Sequence, residues 1–257
     1  MTKGLARKLS RTKAHRTALL KNLVSDLFQH GSIVSTHEKC MEARTLAERV
    51  VSMCNKDIAL MKNDQATLDT VYRRNIQSRL FLSGDNSKLL KKVYSICNNN
   101  VELQEKARKS GFTRVLHLEP RLNDGARQSI LELVDYPVID TLDTDTDAVK
   151  LHRGNIKLWL LVKTVLYNEA HSLPHDQLTL KNLHTIAAYK TKEAFAKEIG
   201  AIRSVLLQEI YNDKPIVPEQ ETKTLDALIT QIYNYTKPEA LQRRGFQVMQ
   251  ERPPRSI

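Results

Sequence analysis

The sequence predicts an α+β fold: N-terminal helices packed on a small antiparallel sheet, followed by an all-helical C-terminal extension. Three observations predict it. Apolar side chains recur at helical spacing over residues 14–30 and again through Met41, Ala43, Leu46, Ala47, Val50, Val51 and Cys54. Two aliphatic stretches, residues 112–118 and 129–134, can pair as antiparallel strands around the turn-forming Asn123-Asp124-Gly125. Beyond an acidic stretch that starts near residue 140, the patterning is helical until the last twenty residues.

The elements follow in order. In residues 14–30, Leu19, Leu20, Leu23, Val24, Leu27 and Phe28 form one stripe, with Lys13, Arg16 and Lys21 on other faces. Gly31 is the expected C-terminal stop. Ser35, three residues before Glu38, has the capping-box spacing and is expected to open the second helix after a loop. Two shorter helices are expected over residues 64–83 and 87–109, and Gly111 breaks the helical pattern before the strands. Asp140, Asp143, Asp145 and Asp147 lie on a threonine-spaced stretch with no apolar face, read as a linker over residues 139–148. A calcium loop starting at Asp143 would need Gly at its sixth position and Glu at its twelfth, where Ala148 and Gly154 stand, so that reading fails. Helices are then expected over residues 149–168, 184–211 and 219–236, the last beginning behind Pro218. Their apolar stripes read as core. Residues 1–138 thus form a first domain and residues 149–257 a helical extension, whose final Arg243, Arg244, Arg252 and Arg255 make a basic tail.

The chain has 257 residues, 41% of them apolar, enough to bury one sizeable core or two modest ones. Eight Gly and eight Pro are too few for a collagen-like or loop-rich class. The longest apolar run, residues 156–167, contains Lys157 and Lys163 and falls short of the roughly twenty residues a membrane span needs. No membrane insertion is expected, and no secretory signal is visible. Cys40, Cys54 and Cys97 form no CxxC pair and read as core thiols in a reducing compartment.

Charge is the most uneven property of the chain. The first twenty-five residues hold seven Lys or Arg and no Asp or Glu, whereas the other residues hold 33 basic and 29 acidic side chains. Such a segment repels itself and is best neutralised by a polyanion, of which nucleic acid phosphate is the commonest. The competing readings are a solvated basic tail and a targeting peptide. Between Lys3 and Lys21, cations alternate with Ser10, Thr12, Thr17 and His15. Arg can bridge two phosphate oxygens with its planar fork, Lys brings a mobile point charge, and hydroxyls add hydrogen bonds to phosphate or ribose. No aromatic residue lies in the segment, so stacking on bases is not expected. The expected contact is with the backbone of structured RNA.

Catalytic chemistry has no comparable signal. GxxxxGK, GxGxxG, HExxH and GxSxG patterns are all missing. His171 and His175 are four apart, but Pro174 between them breaks the helix that would aim both at a metal. No enzyme, cofactor or metal is expected.

The order of residues in the basic segment resembles a known family. Arg7-Lys8-Leu9-Ser10-Arg11, His15-Arg16, Ala18-Leu19-Leu20, Asn22-Leu23 and Leu27 resemble the opening of the bacterial large-subunit ribosomal protein seventeen family. The likeness continues in His30, Ile33, Ser35-Thr36, Lys39, Ala43 and Arg44. It returns in Gly111-Phe112-Thr113-Arg114-Val115, in Asp124-Gly125-Ala126 and in Ile130-Leu131-Glu132-Leu133-Val134-Asp135. It covers residues 7–53 and 110–136; residues 139–257 have no counterpart in the compact bacterial proteins.

The resemblance implies a structural constituent of the large ribosomal subunit that contacts large-subunit rRNA near the exit end of the nascent-peptide tunnel. It carries RNA contact onto Lys8, Arg11, His15, Arg16, Arg114 and Arg121, to which charge and position add Lys3, Arg7, Lys13 and Lys21. A long extension on a bacterial-type core resembles mitochondrial ribosomal proteins, so the expected location is the mitochondrial matrix, with an uncleaved N-terminus serving both targeting and RNA contact. From residue 140 to 257 the chain holds 16 basic and 15 acidic residues, so the extension is expected to touch neighbouring ribosomal proteins rather than rRNA. The alternatives are a free RNA- or DNA-binding regulator and a ribosome assembly factor; an RNA-modifying enzyme lacks any motif.

Overall fold

The computed structural model describes residues 6–62, 70–81, 88–102, 110–134, 136–139, 154–210 and 218–236. Among them are eight helices and one three-stranded antiparallel sheet. Helix α1 (Lys13–His30) ends where Gly31 takes a left-handed φ of 79° and donates its N–H to the Leu27 carbonyl. A residue with a Cβ reaches that conformation only at a cost, which is why the stop falls on a glycine. Strand β1 (Ser32–Thr36) follows, then the long α2 (His37–Lys62), α3 (Val71–Gln77) and α4 (Lys88–Glu102). Strands β2 (Thr113–His117) and β3 (Gln128–Leu133) form the expected hairpin.

Strand β1 corrects the sequence reading. Residues 32–36 were expected to be a loop ending in a Ser35 cap, yet they pair with β3, Ser32 opposite Glu132 and Thr36 opposite Gln128. Ser35 lies inside the strand, and the helix starts at His37, whose N–H reaches the Arg127 carbonyl at 2.9 Å. Ile33, Val34 and Thr36 are β-branched and suit a strand, but the partner lies far away in sequence, so no local pattern announces the pairing. The sheet order is β1-β3-β2, which makes β3 central and buries it from Ser129 to Leu133.

A first core gathers Val24, Leu27 and Phe28 of α1, Ala43, Ala47 and Val50 of α2, Ile76 of α3, Val93 of α4 and Leu131 of β3. All three cysteines are buried, free thiols within it. Burial comes first among the causes that push the Cys40 thiol above its ordinary pKa, as expected of a core thiol. Asp57 is fully buried at its edge and accepts hydrogen bonds from the hydroxyls of Thr70 and Tyr94, so the carboxylate is not left unpartnered.

The second core is helical: α5 (Ile156–Ala170), α6 (Gln177–Ala187), α7 (Lys192–Ile210) and α8 (Pro218–Tyr233). Residues 184–211, expected as one helix, are two. The chain turns at residues 188–191, and the Thr191 hydroxyl accepts the Ala194 N–H at 3.4 Å to restart it. The helix expected over 149–168 begins at Ile156, with the Asn155 side chain as its cap. Phe195, Ile199, Ile202, Leu206, Leu228 and Ile232 are buried here, as their stripes predict. No described helix is long and apolar enough to cross a membrane. The Asp residues read as a linker, and the basic tail, lie outside the described residues.

The two cores meet along β3. Asn155 donates its side-chain amide to the Val134 carbonyl at 2.9 Å, and Glu132 accepts the Lys157 backbone N–H at 3.3 Å. Tyr136 packs where Gly31 and Gly154 come together: a Cβ on Gly31 would stand 2.7 Å from the tyrosine ring and 2.8 Å from Gly154 Cα.

Candidate nucleic-acid interface

The basic arm enters α1 through two consecutive left-handed residues, Leu9 (φ 55°) and Ser10 (φ 52°). Non-glycine residues take this conformation rarely, so something must hold it. Two hydrogen bonds do so locally: the Arg11 N–H reaches the Lys8 carbonyl at 3.3 Å, and Arg11 Nη1 donates to the Leu9 carbonyl at 2.9 Å. Thr12 then caps the helix, its hydroxyl accepting the His15 N–H at 3.5 Å.

A carboxylate on α2 completes the clamp. Glu42 accepts the Arg7 N–H at 3.2 Å and Arg16 Nη2 at 2.7 Å, and Arg7 Nη1 lies 3.8 Å from it. Arg16 Nε donates to the Arg7 carbonyl at 2.6 Å. The Glu42 side chain is 14% exposed, so this charge-assisted network is partly shielded from water. Glu42 was not among the residues singled out from sequence. Its role depends on a contact 35 residues away, which helical periodicity alone does not encode.

The sequence-selected cations therefore divide. Lys8, Lys13 and His15 are exposed on the arm and the first turn of α1. Arg7, Arg11 and Arg16 hold the arm in shape, although Arg7 remains largely exposed. Arg11 Nε is buried without a partner among the described residues. Half-buried Lys21 lies with Nζ 5.8 Å from the centre of the Phe81 ring, a cation–π distance. Lys3 lies outside the described residues.

The two strand-region arginines are elsewhere and are paired within the chain. Arg114 on β2 donates Nη1 to Glu132 at 2.6 Å, and that carboxylate is fully buried. Burial pushes the Glu132 carboxyl above its ordinary pKa, against the pull of Arg114 and of the N–H groups at the start of α5. Burial and then Arg114 hold Lys157 below its ordinary value, with Glu132 opposing. In the β2–β3 loop, Arg121 makes a two-pronged pair with Asp124 at 2.9 and 2.6 Å. No group of three or more potential metal ligands occurs among the described residues.

With a basic, clamped arm on a three-stranded α+β core and a separate helical core behind it, the comparisons with known proteins fall into place. Residues 19–134 match the family described as ribosomal protein L17, and residues 141–253 match the 54S ribosomal protein L8 C-terminal domain. The chain is 32% identical over 191 residues to the large ribosomal subunit protein bL17m of Schizosaccharomyces pombe, covering 74% of this chain and 77% of that protein. It is 35% identical over 130 residues to the bL17 of Finegoldia magna, covering 51% of this chain and 85% of the bacterial protein. The bL17 of Chlorobium chlorochromatii is 32% identical over 163 residues, covering 61% of this chain and 94% of its own length. The chain belongs to the bL17 family of large-ribosomal-subunit proteins, in its mitochondrial branch, and its role is structural rather than catalytic.

Proposed function

We propose that this protein binds and stabilises large-subunit rRNA of the mitochondrial ribosome through its N-terminal arm, near the peptide exit region, and so supports mitochondrial translation. One observation carries the RNA contact. The arm is acid-free, yet an acid from α2, Glu42, fixes its path while leaving Lys8, Lys13 and His15 exposed. A preshaped cationic loop loses less conformational freedom on meeting phosphate than a loose tail would. Each charge-assisted contact of the arm contributes about 1.5–3 kcal/mol before desolvation offsets it. Arg7, Arg11 and Arg16 shape the arm and lend their unused donors, while Lys3 and Lys21 add positive charge by their place in the sequence. The exit-region placement rests on the resemblance of the arm and hairpin motifs to those of the family.

In this reading residues 1–138 form the rRNA-facing ribosomal core, residues 139–148 link, and residues 149–257 contact neighbouring ribosomal proteins, a division that the presence of two separate cores supports. Val138 already packs with the second core.

The test is sedimentation of a mitochondrial lysate on sucrose gradients in moderate and then high salt, comparing the natural chain with Lys8→Glu/Lys13→Glu. The natural chain comigrates stoichiometrically with the large subunit, and the variant shifts to the top at a lower salt concentration. A substoichiometric natural chain would sink the constituent role in favour of a regulator or assembly factor. A variant with unchanged salt sensitivity would refute the arm as the RNA contact.

A further inference from the structure

The β2–β3 loop, residues 118–127, holds a leucine outward on a braced support. Leu122 is 100% exposed and Leu118 is 40% exposed. A flexible loop would be free to fold such a residue back against the surface, but this one is tied at several points. The Arg121 N–H reaches the Ala126 carbonyl at 2.9 Å, and the Gly125 N–H reaches the Arg121 carbonyl at 2.8 Å. Asp124 accepts the Ala126 N–H at 3.1 Å as well as both prongs of Arg121. The Leu118 N–H reaches the Gln128 carbonyl at 3.1 Å and closes the base of the hairpin. Gly125 takes the left-handed turn with φ 61°.

The charges of the loop decide what it fits. Glu119, Arg121, Asp124 and Arg127 balance, and Arg121 spends its planar fork on Asp124. A phosphate surface recruits unbalanced cations, whereas a neutral, rigid support bearing an apolar tip matches an apolar socket on a protein. We propose that this loop is a protein-docking knob: Leu122, flanked by Leu118 and presented by the Arg121–Asp124 brace, inserts into an apolar pocket of a neighbouring protein of the large subunit. Arg121 accordingly positions the knob. The inference rests on the chain being a large-subunit constituent.

The experiment places a photoreactive p-benzoylphenylalanine at position 122 of the full-length chain and irradiates purified large subunits. Cosedimentation is read first: a chain absent from the subunit fraction defeats the constituent reading and the knob with it. For a cosedimenting chain, the expected product is an RNase-resistant adduct with one subunit protein, identified by mass spectrometry. Leu122→Asp, at a site with nothing to unfold, is expected to weaken retention of the chain in a salt wash about tenfold or more, the scale of losing one buried leucine contact. An RNase-sensitive adduct with rRNA, the absence of any protein adduct, or unchanged retention of Leu122→Asp would overturn the proposal.

Discussion

Arg203 offers the sharpest test of what holds the helical extension together. It sits on α7, is 1% exposed, and is the largest fully buried side chain among the described residues. Its guanidinium donates Nη1 and Nη2 to the two oxygens of Glu169 on α5, at 3.0 and 2.8 Å, and Nε to Glu221 on α8 at 2.6 Å. Burial works to lower its pKa, but the hydrogen bonds and charges of the two glutamates outweigh that and raise it. Three helices are therefore fastened at one planar group. Replacing Arg203 with Met keeps most of the volume but leaves two carboxylates, about a quarter exposed, facing each other without a counter-charge. Removing one partner of a buried ion network costs about 3–5 kcal/mol, and partial access of the glutamates to water puts the value near the lower end, about 3 kcal/mol. That is a large share of a typical stability of about 5–15 kcal/mol. For a chain of this size it corresponds to a fall of about 6–12 °C in Tm. Thermal and urea unfolding of the full chain, followed by circular dichroism, measure it. The triple variant Arg203→Met/Glu169→Gln/Glu221→Gln removes the stranded charges and recovers most of the loss. A loss below about 1 kcal/mol for the single variant, the range of an exposed pair, would refute the argument. So would a triple variant as unstable as the single one.

Gly31→Ala forces a Cβ into a left-handed residue and onto the Tyr136 ring, so urea unfolding is expected to show a loss of about 2–5 kcal/mol. Gly125→Ala, also left-handed but with open space around it, loses only about 1 kcal/mol, and equal losses at both sites would exclude the clash as the cause. Glu132 yields a pH prediction. Its folded-state pKa is raised, so its contribution to stability is fully present below the unfolded value and is lost as pH rises through the folded one. As pH rises from about 4, Glu132→Gln should therefore gain stability relative to the natural chain, and urea midpoints that move the other way would contradict the burial argument.

The helices were largely legible because each buries one face and repeats at helical spacing: α1 and α8 fall within a few residues of expectation, and α2 begins close behind Ser35. The β2–β3 hairpin was legible because its turn chemistry is local. What escaped was decided at a distance. Strand β1 exists because β3 lies beside it, and the break between α6 and α7 exists because two helices, each with an apolar stripe, must fold back on the same core. The arm cations could be found by counting charges. Their division into residues that shape the arm and residues left exposed could not, because it depends on Glu42 being brought to Arg7 and Arg16 by tertiary folding. Arg114 shows the same effect: a basic side chain in a family motif stands against the fully buried Glu132.

The central position of β3 sets an order on biosynthesis. Strand β1 is translated early, but its ladder partner is the last strand of the sheet, so neither the sheet nor the surface beneath it can close until residue 133 has left the ribosome that makes it. The start of α5 then docks on the same strand through Asn155 and Lys157. Pairings this far apart in sequence are slow to form and leave apolar surface open meanwhile. During that interval the nascent chain carries four helices with open apolar faces and two unpaired strands, a state that invites chaperone capture. The finished β3 is thus a checkpoint: it closes the first core and, in the same step, provides the platform on which the second assembles.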